Sequence, residues 1–185
     1  MSNFTKQAIK DTFWKLLNDR PLKQISVRNI AEECGINRNS FYYHFRDIPA
    51  LIEEIVTDAA DALINKYPNI SSIEEAAEVA FNFTFKNKKA VQHICNSVNR
   101  DIYERYLMRI CEYVVKTYFN TLFGDRNLLP EDKASIILFA KCELFGLCID
   151  WINSGMPENA FVKLKELIIV SGGVISNMVD NCANN

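Results

Sequence analysis

The chain has 185 residues, 49% apolar and 24% charged, with only six Gly and five Pro. That composition excludes disorder, collagen-like repeats and a turn-dense all-β sandwich. Its net charge is −2, but residues 1–50 hold eight Lys and Arg against five acids, leaving 13 of the 21 bases and 18 of the 23 acids to the remainder. A mildly basic head on an acidic body fits a chain that offers its first segment to a polyanion.

No apolar run reaches the roughly 18 residues of a membrane span, and the opening residues lack a signal-peptide core. The six cysteines show no C-x-x-C pair and read as reduced core thiols of a cytoplasmic protein. Only the helical period recurs along the chain. The first helix is predicted from Thr5 to Asp19, with Ile9, Phe13, Leu16 and Leu17 on one face and Pro21 beyond its end. Ser26 caps a second, short helix whose Val27, Ile30, Ala31 and Cys34 fall at i, i+3, i+4 and i+7; Gly35 ends it. Asn37 caps a third helix from Arg38 to about Phe45. Asp47 caps a fourth, with Pro49 in its first turn, which stops at Pro68.

The capping box Ser72-x-x-Glu75 opens a helix to about Lys86, and a short segment follows over Lys89–Ser97. Longer helices are predicted over Arg100–Phe123, Glu131–Ser154 and Glu158–Asp180, separated by Gly124, Pro130, Gly155 and Pro157. The chain is therefore predicted to be all-α, with about nine helices. Residues 1–47 form a three-helix helix-turn-helix head, and residues 48–185 form a helical body.

Angles on the third helix point to a nucleic-acid surface. At about 100° per residue, Phe41 and Phe45 share an inward face, while Asn39 and Tyr43 fall opposite, flanked by Ser40 and Tyr42. An outward strip of Asn, Ser and Tyr can hydrogen-bond phosphates or base edges. The tight link Cys34-Gly35-Ile36-Asn37 sets the two short helices at the angle that lets the second enter a major groove.

The string from Ser26 to Asp47, with Ile30-Ala31, Gly35-Ile36 and a recognition helix ending Phe41-Tyr42-Tyr43-His44-Phe45, resembles the DNA-binding signature of the TetR family of bacterial transcriptional regulators. The resemblance is specific over residues 5–66. It implies that Tyr42 and His44 contact phosphate or nearby bases, that Ser26 and Arg28 touch phosphate, and that Arg38, Asn39 and Ser40 read bases. Members often carry Lys at the start of the fourth helix, where this chain has Ile48; Arg46 and the helix N-terminus are the substitutes.

One recognition helix reads only a few base pairs, so two copies are expected. The stretches 136–152 and 164–179 are apolar around most of their circumference and need burial on more than one side. We expect a homodimer through a four-helix bundle that uses Ile137, Leu144, Gly146 and Leu147 with Leu167, Ile168, Gly172 and Ile175, as the resemblance also implies. The family resemblance further implies a small-molecule effector pocket in the aromatic-rich middle. Its expected members are Phe81, Phe85, Phe119 and Trp151, with His93, Tyr103, Tyr106 and Glu143 as the polar positions.

Enzyme chemistry is not expected: the sequence has no Gly-rich phosphate loop, nucleophile elbow or H-E-x-x-H, and only two histidines. No cofactor, metal site or membrane partner is expected. The sequence thus predicts a repressor that binds a pseudo-palindromic double-stranded operator and is released by an effector. The alternative is a ligand-independent architectural or cell-division DNA-binding protein on the same scaffold.

Overall fold

The computed structural model describes residues 2–70, 72, 75, 84–85 and 87–183. Among them are eight α-helices, one 3-10 turn (Leu22–Gln24) and no strand: α1 Ser2–Asp19, α2 Val27–Cys34, α3 Arg38–His44, α4 Ile48–Lys66, α5 Lys88–Cys95, α6 Arg100–Phe123, α7 Pro130–Asn153 and α8 Glu158–Ala183. The all-helical prediction holds, with most boundaries within two residues. At the capping box, Glu75 N–H donates to Ser72 Oγ at 3.1 Å. Most of the helix predicted behind it lies outside the described residues. No helix among the described residues is long and apolar enough to cross a membrane.

Packing divides the chain into two compact units, Met1–Ala59 with Asn87–Tyr106, and Ala60–Lys86 with Leu107–Asn185. Both α4 and α6 contribute residues to each. In the first unit, α1 packs against α2 and α5, and α2 against α3. Its core is the predicted set Ile9, Phe13, Leu16 and Leu17, joined by Ile30, Ala31, Phe41, Phe45, Leu51, Ile52 and Val56. Polar ties fix the neighbours. Trp14 Nε1–H donates to Asn87 Oδ1 at 3.3 Å, and His93 Nδ1 lies 2.6 Å from the Leu17 carbonyl. Lys10 Nζ sits 2.5 Å from Glu54 and 2.6 Å from Asp58, and Lys6 joins Glu54 at 2.7 Å.

In the second unit α7 packs on α8 over a core that includes Ile136, Ala140, Leu144, Cys148, Trp151, Ile168, Ile175 and Val179. Tyr113 Oη donates to the carbonyls of Tyr67 at 2.6 Å and Ile64 at 3.1 Å. Those carbonyls end α4 and have no partner one turn on, so the tyrosine stands in for the missing turn. The cysteines carry free thiols, but one departs from the core assignment: Cys142 is exposed, because it lies on the outward side of α7. Cys111 meets Cys148 in the core, and this hydrogen bond together with burial holds the Cys111 thiol well above its ordinary range. Such thiols are inert at neutral pH.

Two measurements test these local devices. Gly35 has φ +68° and Asn37 Oδ1 accepts from Ser40 N–H at 2.8 Å. Gly35→Ala and Asn37→Ala should each lower unfolding free energy by about 1 kcal/mol in urea titrations. Partial burial raises the Glu54 pKa, but hydrogen bonds from Lys10 and Lys6 outweigh it and hold the carboxyl below its ordinary value. This stabilisation is present above the unfolded carboxylate pKa of about 4.3 and is lost as pH falls through the depressed folded value. Glu54→Gln should therefore cost about 1 kcal/mol at pH 7, with the gap to the parent protein closing below about pH 4.

Candidate nucleic-acid interface

Three side-chain caps build the head's outer surface. Ser26, in extended backbone, accepts the Asn29 N–H at 3.2 Å on its Oγ, while Asn29 Oδ1 accepts the Ser26 N–H at 3.0 Å. This is a closed capping box in which Asn does the work usually done by Glu or Gln. Gly35, left-handed, lets Ile36 N–H turn back to the Ala31 carbonyl at 2.9 Å. Asn37 then starts α3, and Asp47 Oδ1 accepts from Ala50 N–H at 2.8 Å to start α4. That backbone bond, followed by the Arg46 pairing, holds the Asp47 carboxyl below its ordinary range.

The predicted rotation of α3 is present. Phe41 is 0% and Phe45 3% exposed, their rings 5.8 Å apart. Tyr43 on the opposite side is 78% exposed and Tyr42 55%. Arg38 and Asn39 are exposed, and His44 is half-buried, its ring edge-on to Tyr43 at 5.0 Å. The Lys6 ammonium lies 5.5 Å from the Phe45 ring centre, on the side of α3 that faces the core.

Four of the expected contacts have partners within the chain, the first being Ser26, whose Oγ–H donates to Asn29 Oδ1 at 2.7 Å. Ser40 Oγ turns back to Asn37 Oδ1 at 3.1 Å, so its hydroxyl serves the cap. The Arg28 guanidinium pairs with Glu32 at 2.6 Å, and Arg46 with Asp47 at 2.9 Å; both are largely exposed. The signal for the first was the i, i+4 spacing of Arg28 and Glu32. Exposed pairs of this kind are weak, so a phosphate can take either arginine from its carboxylate.

The residues expected around an effector fall in separate places. Phe119 and Glu143 line an apolar cavity of about 30 Å³ with Val114, Leu144, Leu147, Ile168 and Ile175, where Glu143 accepts a hydrogen bond from the Ser171 hydroxyl. Trp151 is buried, stacks on Phe85 at 5.9 Å, and donates its Nε1–H to the Pro157 carbonyl at 3.1 Å. His93, Tyr103 and Tyr106 belong to the first unit, where Tyr103 is buried and Tyr106 Oη reaches Glu53 at 3.4 Å. Phe81 lies outside the described residues.

The residues expected at a dimer contact also divide. Leu144, Ile168, Gly172 and Ile175 face the unit's own interior, whereas Gly146 is exposed, Leu167 is 51% exposed, and Ile137 and Leu147 are half-buried. The outward apolar positions of α7 and α8 are Leu138, Phe139, Val162, Leu167, Ile169, Val170 and Val174, with Val170 the most open at 68%. The expected set thus spans inward and outward positions of the same two helices. When both faces of a helix are apolar, periodicity cannot tell the inner one from the outer.

Comparison with known proteins bears on the whole chain. Residues 9–55 match the model described as bacterial regulatory proteins, tetR family, and residues 71–170 match a transcriptional regulator C-terminal region of the same family. The repressor KstR2 of Mycolicibacterium smegmatis is 40% identical over 52 residues, which are 28% of this chain and 25% of that protein. The uncharacterised regulator YxbF of Bacillus subtilis is 29% identical over 63 residues, 34% of this chain and 17% of its own. The chain thus spans a quarter or less of these two relatives.

A regulator of Staphylococcus aureus strain USA300 is 21% identical over 141 residues, covering 72% of this chain and 75% of its own. Among solved structures, the dihydroxyacetone kinase operon activator DhaS superposes with a TM-score of 0.68 over 96% of this chain and 97% of its own, at 19% identity, a likeness of fold. These are regulators of transcription, not enzymes. With a helix-turn-helix head matched at one end and more than half the chain matched behind it, the protein belongs to the TetR family of bacterial transcriptional regulators.

Proposed function

We propose that the protein is a cytoplasmic repressor that binds a pseudo-palindromic DNA operator as a homodimer and leaves it when a small-molecule effector binds. The observation that carries this reading is the orientation of α3, with Phe41 sealed in the core and Asn39 and Tyr43 turned to solvent. In the proposed complex, α3 of each subunit enters a major groove. Tyr42 and His44 meet the backbone, Arg38, Asn39 and Tyr43 reach base edges, and Ser26 holds phosphate at the start of α2 once its hydroxyl leaves Asn29 Oδ1. Arg28 and Arg46 exchange their carboxylates for phosphates, and Arg46 supplies the charge that Ile48 lacks. The head that does this is residues 1–47, and residues 48–185 carry effector binding and dimerisation.

The dimer face in this reading is the outward apolar side of α7 and α8. Exposed apolar side chains on two neighbouring helices call for a partner, and a second copy makes both recognition helices available one helical turn apart. Because α4 contributes residues to both units, tilting it would change the spacing of the two heads. Coupling of this kind is worth about 1–3 kcal/mol, or roughly 5- to 150-fold in operator affinity.

A ligand-independent DNA-binding protein is the second reading, and one observation favours it. The cavity of about 30 Å³ found among the described residues of the body has room for a water molecule rather than a metabolite. Release of operator DNA by a cell-extract metabolite fraction separates the two.

Tyr42→Phe should weaken operator binding about 5-fold through loss of one hydrogen bond to phosphate. Asn39→Ala should instead change which operator variants bind, leaving the slope of affinity against salt as it was. Gel-shift titrations on an operator library check both; unchanged affinity and selectivity in the pair would remove α3 from the contact. Val170→Glu should give monomers in sedimentation velocity without loss of helicity. A dimer that survives it would move the interface off this face of α8.

A further inference from the structure

A second concavity lies in the first unit and shares only His93 with the predicted effector set. It is an open cleft of about 590 Å³ formed where the segment before α2 and the first turn of α4 face the turn between α5 and α6. Small-molecule sites fall in the range of about 300–1,000 Å³, so this cleft has the right size as it stands. Leu22 and Ile48 supply apolar wall, while Lys23, His93, Asn96 and Asn99 bring polar groups to the same space.

The chemistry of that lining has one sign. None of its residues is Asp or Glu. Elsewhere in the head, Lys6, Lys10 and Lys15 are each paired with a carboxylate. Lys23 is exposed and has no ion pair among the described residues. The side-chain amides of Asn96 and Asn99 likewise have no hydrogen-bond partner among the described residues, so their N–H groups are available to an acceptor. His93 is oriented: the Leu17 carbonyl, 2.6 Å from Nδ1, can only accept, so Nδ1 carries the proton and Nε2 is the ring nitrogen left over. A single cation and amide donors beside aliphatic wall match an acceptor-rich anionic head on an apolar body.

We propose that this cleft binds a small amphipathic carboxylate, its apolar part against Leu22 and Ile48 and its carboxylate at Lys23 and the amides of Asn96 and Asn99. Leu22 and Lys23 lie just ahead of the Ser26 cap, and Ile48 opens the helix that follows α3. The occupant therefore touches both chain segments that flank the helix-turn-helix. The binding claim stands whether or not the head binds an operator; only its effect on DNA affinity rests on the proposed function.

The test is calorimetry on the full-length protein without DNA, using 2-naphthoate, the matched 2-naphthylmethanol and inorganic phosphate as probes. Naphthoate should bind once per chain with Kd at or below about 1 mM, with the alcohol and phosphate each at least about 10-fold weaker. Lys23→Gln should weaken naphthoate about 10-fold, and Asn96→Trp, which fills the cleft, should abolish binding. Leu147→Trp, in the second unit's cavity, should leave it unchanged. In the parent protein, amide chemical shifts should move at residues 22–23, 48 and 96–99, a readout that needs no variant. No saturable naphthoate binding, equal affinity for the alcohol or phosphate, or shifts gathered at 114–119 and 143–147 instead would each overturn the proposal.

Discussion

Everything on the outer side of the head depends on two phenylalanine rings being driven inward. A helix of seven residues has almost no stability of its own, because nucleation uses up most of what so few hydrogen bonds return. What holds α3 is the burial of Phe41 and Phe45, each worth about 1.5–3 kcal/mol. Their four-residue spacing leaves one rotation of the helix that hides both. That rotation also decides what is left outside, and Asn39 and Tyr43 are exposed as a consequence of packing rather than of any interaction of their own. Core and contact face are two sides of one constraint.

The caps make that constraint usable. Ser26, Asn37 and Asp47 each satisfy a backbone N–H at a helix start, all within residues 26–50. At about 1 kcal/mol apiece they rival the intrinsic stability of the short helices they begin. They also occupy polar groups: the Ser40 hydroxyl is turned to Asn37, which removes a donor from the outward strip and concentrates recognition on Arg38, Asn39 and the tyrosines. The arginine pairs work in the opposite sense. Arg28 with Glu32 and Arg46 with Asp47 are exposed, so exchanging either carboxylate for a phosphate loses little and screens the head from indiscriminate attraction to polyanions.

What could be read in the sequence was whatever short-range chemistry decides. The caps, the left-handed Gly35 and the inward face of α3 all follow from spacings of seven residues or fewer, and the structure contains them. Arg100–Phe123 was legible because no Gly or Pro interrupts its 24 residues. Long-range partners were not legible. Nothing near His93 signals a bond to Leu17, 76 residues away, which ties the ring to the first unit rather than to the aromatic-rich middle. Nor did periodicity separate the inward Leu144, Ile168 and Ile175 from the outward Leu138, Val170 and Val174, since all six are apolar and only the packing of α7 on α8 selects between them.

The Glu143 cavity and the Lys23 cleft differ in a way that bears on regulation. The body cavity is small and apolar, and its carboxylate is already engaged by Ser171, so a ligand there must displace side chains and outcompete a hydrogen bond before it gains contact. The cleft beside Lys23 is open, and its cation and amides are unengaged, so a ligand there meets groups that need not be rearranged. A preformed site loses less of its gross interaction energy to ordering than one that must be opened. The lining charges also oppose each other: Glu143 repels the carboxylate that Lys23 attracts, and a cation suited to Glu143 is rejected by Lys23. One molecule cannot serve both places well. Between these two places, an acid of the proposed kind is favoured at Lys23 over the cavity that holds Glu143.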